Sequence, residues 1–174
     1  MGRRRKILVK AAVCLSVIVA LGFLPAERKV IPVMGASFED WNNESFWYEP
    51  WGSSGVHKGI DIFGESATDV VSTVDGTVLF SGSIVKGGNV VLVLGPKWRL
   101  HYFAHMDTTL ASPLELLSSG EKIGTLGSTG NAKGKPPHLH YSIVRLIPAP
   151  WEIDNSTQGY KKAFFINPNL YLRE

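Results

Sequence analysis

Residues 89–104 read NVVLVLGPKWRLHYFA. Asn89–Leu94 is a dense β-branched and aliphatic run, and Arg99–Ala104, rich in aromatic residues, reads as its partner strand. The same grain extends outward from Gly59: short apolar stretches separated by glycine turns. Gly59–Phe63 and Asp69–Val74 are expected strands upstream. Asp75-Gly76 is a hairpin signal that predicts a return over Thr77–Ser81, and Gly87-Gly88 predicts the turn into Asn89. Downstream, Pro113–Leu117 reads as one helical turn, Lys122–Leu126 as a short strand and Leu139–Leu146 as the last clear strand. From about Pro148 the tail reads as a loop wrap anchored by Phe164, Phe165 and Tyr171. The pattern predicts an all-β, antiparallel fold whose sheet edges are paired or closed.

The 174 residues suffice for one domain with a real core. With 44% apolar and 19% charged residues, 18 glycines and 10 prolines, the chain is not wholly disordered, collagen-like or coiled-coil. Its formal charge is +3, from 18 basic and 15 acidic residues. Five of the basic residues, Arg3, Arg4, Arg5, Lys6 and Lys10, lie in the first ten positions. Residues 27–174 therefore carry 13 basic and 15 acidic residues, a charge of −2. Nothing in that stretch resembles a nucleic-acid footprint, so no nucleic-acid partner is expected.

Residues 1–26 join the basic cluster to an uncharged run from Ala11 to Leu24. This is the pattern of an export signal, or of an uncleaved N-terminal anchor that would associate the protein with a membrane through residues 7–24. Either places the rest of the chain outside the cytoplasm, in the periplasm or on the outer face of the membrane. Cys14, the sole cysteine, falls inside this run, so the domain cannot form a disulfide within itself. Residues 27–55 form an approach segment in which Phe38, Trp41, Phe46, Trp47, Tyr48 and Trp51 crowd into 16 residues. Two readings fit: an aromatic flap packed over the core, or one wall of a substrate groove.

Four of the five histidines cluster beside expected strands. His57 and Asp61 occur in His57-Lys58-Gly59-Ile60-Asp61, His105 follows Tyr102-Phe103-Ala104, and His138 and His140 bracket Leu139. Strand positions i and i+2 share a face, so His138 and His140 look into one space while Leu139 faces the core. Two imidazoles and a carboxylate are a ligand set for catalytic zinc, and further histidines nearby suit proton transfer near neutral pH. No His-Glu-x-x-His sequence is present.

His57-x-Gly59-Ile60-Asp61, Tyr102-x-Ala104-His105 and Pro137-His138-Leu139-His140-Tyr141 together resemble the three signature motifs of the lysostaphin-type (LytM-like) zinc endopeptidases. Gly76-Thr77-Val78 and Gly127-Ser128-Thr129-Gly130 fall between them in the family's order. The resemblance runs from about Val56 to Ile143. It implies an all-β fold, a compact antiparallel β-sandwich or open barrel with a narrow groove, preceded by an N-terminal apolar helix as signal or anchor, and hydrolysis of peptide bonds in peptidoglycan stem peptides or cross-links. It also implies that His57, Asp61 and His140 bind Zn2+, while His105 and His138 act beside the metal as catalytic residues. The peptidase domain would then occupy residues 56–174.

The chain departs from the family at Tyr141-Ser142, where phenylalanine and glutamate are usual. It departs again at Asn131–Pro136, which is bulkier and more basic than the usual connection; this stretch is either a plain surface loop or a groove wall that favours an acidic substrate group. His101 is expected in the core or on the strand surface. Asp107 is either a turn residue or a partner for an imidazole. Rival functions are a non-catalytic or autoinhibited cell-wall-binding module, a peptidase acting on secreted protein, and a sugar-phosphotransfer carrier. The export leader and Asp61 argue against the carrier. A recruiting adaptor protein is compatible with the absence of a separate wall-binding domain.

Overall fold

The β-branched run and its aromatic partner lie at the centre of the main sheet. The computed structural model describes residues 2–174. It contains helix α1 (Arg3–Leu21), strands β1 (Ile60–Phe63), β2 (Asp69–Val71), β3 (Gly76–Ile84), β4 (Gly88–Gly95), β5 (Arg99–Met106), β6 (Thr108–Thr109), β7 (Leu116–Leu117), β8 (Lys122–Thr125), β9 (His138–Arg145) and β10 (Phe165–Ile166), and helix α2 (Pro168–Arg173). A seven-stranded antiparallel sheet runs β1-β9-β5-β4-β3-β7, with β10 sharing the β1 edge of β9; a three-stranded antiparallel sheet runs β2-β8-β6. The fold is thus mostly antiparallel β, as expected, and among the described residues the sheets do not close into a barrel.

Alternation sorts the side chains. On β1, Ile60 and Ile62 are fully buried while Asp61 and Phe63 face outward. On β9, Leu139, Tyr141 and Ile143 enter the core with Val78, Val91, Val93 and Phe103. Leu139, Tyr141 and Ile143 therefore fill the core, and the even-numbered positions, His138, His140, Ser142 and Val144, line the opposite face.

Three local expectations fail. Asp75-Gly76 does not make a hairpin, because β2 pairs with β8 and β3 pairs with β4 and β7. Between them the Ser72 hydroxyl donates to the Val74 carbonyl at 2.7 Å, and the Ser72 backbone bonds Glu121 and Gly120. The chain thus bends out of one sheet into the other. Pro113–Leu117 is not a helical turn; Leu116 and Leu117 form a short strand on the β3 edge. The tail is more ordered than a loop wrap: β10 extends the main sheet, and Asn167 caps α2 by accepting from the Asn169 N–H at 3.0 Å.

The approach segment is part of the domain. Trp41 is buried in the core against Phe38, and its indole N–H donates to Asn169 at 3.2 Å. Val33 bridges to Val70 of β2. Helix α1 is exposed from Arg4 to Leu21, as is Cys14 on it. Its C-terminal turn meets the domain where Trp98 donates to the Val19 carbonyl at 2.9 Å. No helix among the described residues is long and apolar enough to cross a membrane.

Candidate metal centre

The β1–β9 register sets Asp61 directly opposite His140. A slip of one residue in either strand would turn its member of the pair into the core, so burial of Ile60, Ile62, Leu139 and Tyr141 fixes both on the outer face. Gly59 makes the approach feasible: a Cβ there would lie 2.4 Å from the Tyr141 carbonyl oxygen and 2.6 Å from the Ser142 hydroxyl. His57 arrives just before β1, held by backbone bonds with Trp47 and Tyr48.

Three ligand atoms converge. Asp61 Oδ1 lies 2.8 Å from His140 Nδ1 and 3.1 Å from His57 Nε2, and the two ring nitrogens are 3.1 Å apart. The other nitrogen of each ring is committed. His57 Nδ1–H donates to the Ser45 carbonyl at 3.0 Å. The Ser142 hydroxyl donates to the Lys58 carbonyl at 2.8 Å, so it must accept from His140 Nε2–H at 3.0 Å. Two lone pairs and a carboxylate oxygen therefore face one another, an arrangement that only a cation relieves. Zinc bonds of about 2.0–2.1 Å place tetrahedral donor atoms about 3.3 Å apart, so this donor set fits that ion with a small outward shift. These three residues are a group that could hold a metal ion. The side chains stay reachable, with His140 19% and Asp61 16% exposed.

His138 and His105 flank the cluster with the same division of nitrogens. His138 Nδ1–H donates to the Pro136 carbonyl at 2.8 Å, and Nε2 lies 4.0 Å from Asp61 Oδ2. His105 Nδ1–H donates to the Thr129 carbonyl at 2.9 Å. The His105 ring centroid is 5.2 Å from that of His138 and 6.0 Å from that of His140. Burial pushes the His105 pKa down to about 4, which leaves the ring neutral at physiological pH.

By simple alternation His105 would share the core-facing side of β5 with His101 and Phe103, because Ala104 is the residue opposite His140. The β4–β5 register shift gives the reason it does not: Ala104 and His105 together oppose Val90. His105 takes φ +67°, and this bulge returns its ring to the site face. Thr129 braces the bulge, its hydroxyl donating to the Met106 carbonyl and accepting from the Asn89 N–H. His101, expected in the core or on the strand surface, keeps the core-facing side. His101 is fully buried behind the sheet, its Nδ1 2.7 Å from the Tyr141 hydroxyl, and burial lowers its pKa to about 3. Asp107 is a turn residue: it is exposed, and the imidazole it might have oriented is held by Thr129 instead.

A groove of about 520 Å³ leads to the cluster, lined by Trp51, Gly52, Ser53, Ser54, Lys58, Lys86, Tyr102, Ala104, Lys135 and Phe165, among others. Trp51 stacks on His57 at 4.0 Å, so the approach segment supplies a wall as well as core packing. Sequence reading passed over Ser45, Thr129, Ser142 and Tyr102 as parts of the site. Ser45 and Thr129 act through backbone carbonyls, which carry no side-chain signal. Ser142 could have been found, since it shares the β9 face with His138 and His140. Tyr102 opens the Tyr102-x-Ala104-His105 motif without a role assigned to it there, and its ring stands edge-on to His140 at 6.3 Å.

A family model described as peptidase family M23 matches residues 55–153. Murein hydrolase activator NlpD of Escherichia coli (strain K12) is 35% identical over 105 residues, which cover 59% of this chain and 27% of that protein. The L-Ala–D-Glu endopeptidase of Bacillus subtilis (strain 168) is 32% identical over 115 residues, covering 61% of this chain and 35% of that protein. The chain thus spans about a third or less of these relatives. The catalytic domain of lysostaphin from Staphylococcus simulans superposes with a TM-score of 0.61 at 21% identity, covering 79% of this chain and 96% of that domain, a likeness of fold.

Proposed function

The chain belongs to peptidase family M23, and from that premise we propose that it is a zinc-dependent endopeptidase that hydrolyses peptide bonds in peptidoglycan stem peptides or cross-links. The observation that carries the proposal is the committed tautomer of each ligand ring, which leaves the lone pairs of His57 and His140 aimed at Asp61. In this reading His57, Asp61 and His140 hold the metal. Bound zinc supplies Lewis acidity, activating a water molecule and polarising the scissile carbonyl. His105 and His138 are the catalytic residues: with Nδ1 tied to a carbonyl, each offers Nε2 to take a proton from the attacking water and deliver it to the leaving amine. The groove and the Trp51 wall hold the peptide and shield it from solvent.

The proposal extends to the rest of the chain. Residues 1–26 act as export signal or anchor, residues 27–55 as groove wall, and residues 56–174 as the peptidase domain. The protein works outside the cytoplasm, in the periplasm or on the outer face of the membrane, where its peptide substrate lies. One comparison favours a second reading: a relative at 35% identity is named as an activator of murein hydrolases, which fits a non-catalytic module that engages a partner.

One experiment separates the two. Purified peptidoglycan is incubated with the zinc-loaded full chain or with His138→Ala, and the products are analysed by mass spectrometry. New peptide termini from the unsubstituted chain alone are the expected result, and they identify the bond. Tight zinc retention with no products would overturn the enzyme in favour of the activator.

A further inference from the structure

Resting on the peptidase reading, we propose that the groove selects peptides bearing a free carboxylate near the scissile bond, and that Lys58, Lys86 and Lys135 are the residues that recognise it. Residues 27–174 carry a net charge of −2, yet the groove lining holds these three lysines, and Asp and Glu are absent from it among the described residues. The pairing pattern sharpens the contrast. Lys29, Lys97, Lys122 and Lys162 each meet a carboxylate in an ion pair. Lys58, Lys86 and Lys135 have no carboxylate within ion-pairing distance among the described residues. The two remaining unpaired lysines of the domain adjoin the groove: Lys133 shares the Asn131–Pro136 loop with Lys135, and Lys161 bonds Gln158, whose amide donates to the Ser54 carbonyl of the groove wall.

Neutral acceptors hold two of the three ammonium groups in place. Lys58 Nζ donates to the carbonyls of Ser54 at 2.9 Å and Val56 at 3.3 Å, and Lys86 Nζ reaches from the β3–β4 turn to the Ser53 hydroxyl at 3.0 Å. Such contacts orient a cation without neutralising it. An anionic partner entering the groove would meet ammonium groups already positioned, and would complete pairs that the protein leaves open. Lys58 lines the same groove as His57 and His140, so a carboxylate bound there lies in the space that leads to the ligand cluster.

The test compares an acetylated tetrapeptide amide containing one glutamate with its glutamine isostere. Binding to the full chain is measured by calorimetry at low and high salt. A carboxylate could also reach a bound metal, so the comparison is repeated in Asp61→Asn, which removes a ligand. The expected result is about tenfold tighter binding of the glutamate peptide, the size of one charge-assisted hydrogen bond. The preference persists in Asp61→Asn, weakens with salt, and is lost in the triple variant Lys58→Gln, Lys86→Gln, Lys135→Gln. Lys135→Gln alone, at an exposed loop position, gives a partial loss should the triple variant not fold. Equal affinity for the two peptides, binding of neither, or a preference that survives the lysine substitutions overturns the inference. The peptidase reading fails separately: a chain that binds the glutamate peptide selectively but leaves peptidoglycan intact loses the catalytic proposal and keeps this one.

Discussion

Each of the four histidines around the cluster anchors one ring nitrogen to an oxygen and turns the other inward, so small changes at the anchors reach the metal. Ser142 shows the logic. Its hydroxyl links the Lys58 carbonyl to His140 Nε2, which sets the tautomer that exposes Nδ1. Ser142→Ala removes that acceptor, and zinc affinity falls about 10–100-fold, the range for loss of a group that orients a ligand. Competition with a chromophoric chelator measures it, and the metal-free chain loses only about 1–3 kcal/mol of stability from the two hydrogen bonds removed. His105 separates backbone from ring. A non-glycine residue at φ +67° carries strain of about 1–2 kcal/mol, and its bond to Thr129 returns about 1 kcal/mol. His105→Gly therefore leaves thermal stability close to that of the parent while peptide hydrolysis is abolished. A large drop in Tm would show that the ring is chiefly structural.

At the level of elements, the site is an edge contact between β1 and β9 that depends on one close approach. Gly59→Ala would drive its Cβ into the Tyr141 carbonyl and the Ser142 hydroxyl. The two strands must then separate by several tenths of an ångström, pulling Asp61 away from His140. Stability falls by roughly 1–3 kcal/mol, as for other overpacked positions, and zinc affinity falls with it. Calorimetric unfolding with and without zinc checks this; unaltered metal stabilisation would show that β1 can shift without moving the ligand cluster. The β5 bulge is the second device at this scale, for without the extra residue opposite Val90 the His105 ring would lie in the core.

For the whole molecule, the buried face of the main sheet links stability to pH. His101 is fully buried, and desolvation lowers its pKa from 6.5 to about 3. Below pH 6.5 the unfolded chain takes up a proton that the folded chain refuses, so stability is lost as pH falls, at up to about 1.4 kcal/mol per pH unit, until the folded state also protonates near pH 3. Metal-free protein unfolded in urea between pH 7 and pH 4 should show this slope. His101→Gln, which cannot titrate, flattens it relative to the parent; parallel profiles would sink the assignment. Residues 27–55 are knit into the same body through Trp41, Val33 and the Ser45 carbonyl on His57.

The strand pattern and the three motif clusters were legible in the sequence because period-two alternation and short-range spacing are local. His138 and His140 share a face by spacing alone, and the apolar neighbours of Asp61 commit it to the outside. The Asp75-Gly76 turn was misread because its dipeptide chemistry is local, whereas the sheet each flanking strand joins depends on distant β8 and β4. Spacing alone does not separate His101 from His105: four residues of regular strand would put them on one face, and only the bulge, built from pairing with β4 and the brace of Thr129, divides core from site. The carbonyls of Ser45 and Thr129 leave no trace in side-chain chemistry, since any residue could supply them. Sequence by itself determined which groups could bind a metal; tertiary structure decided which nitrogen of each ring is free to do so, because that choice is made by hydrogen bonds from elsewhere in the chain.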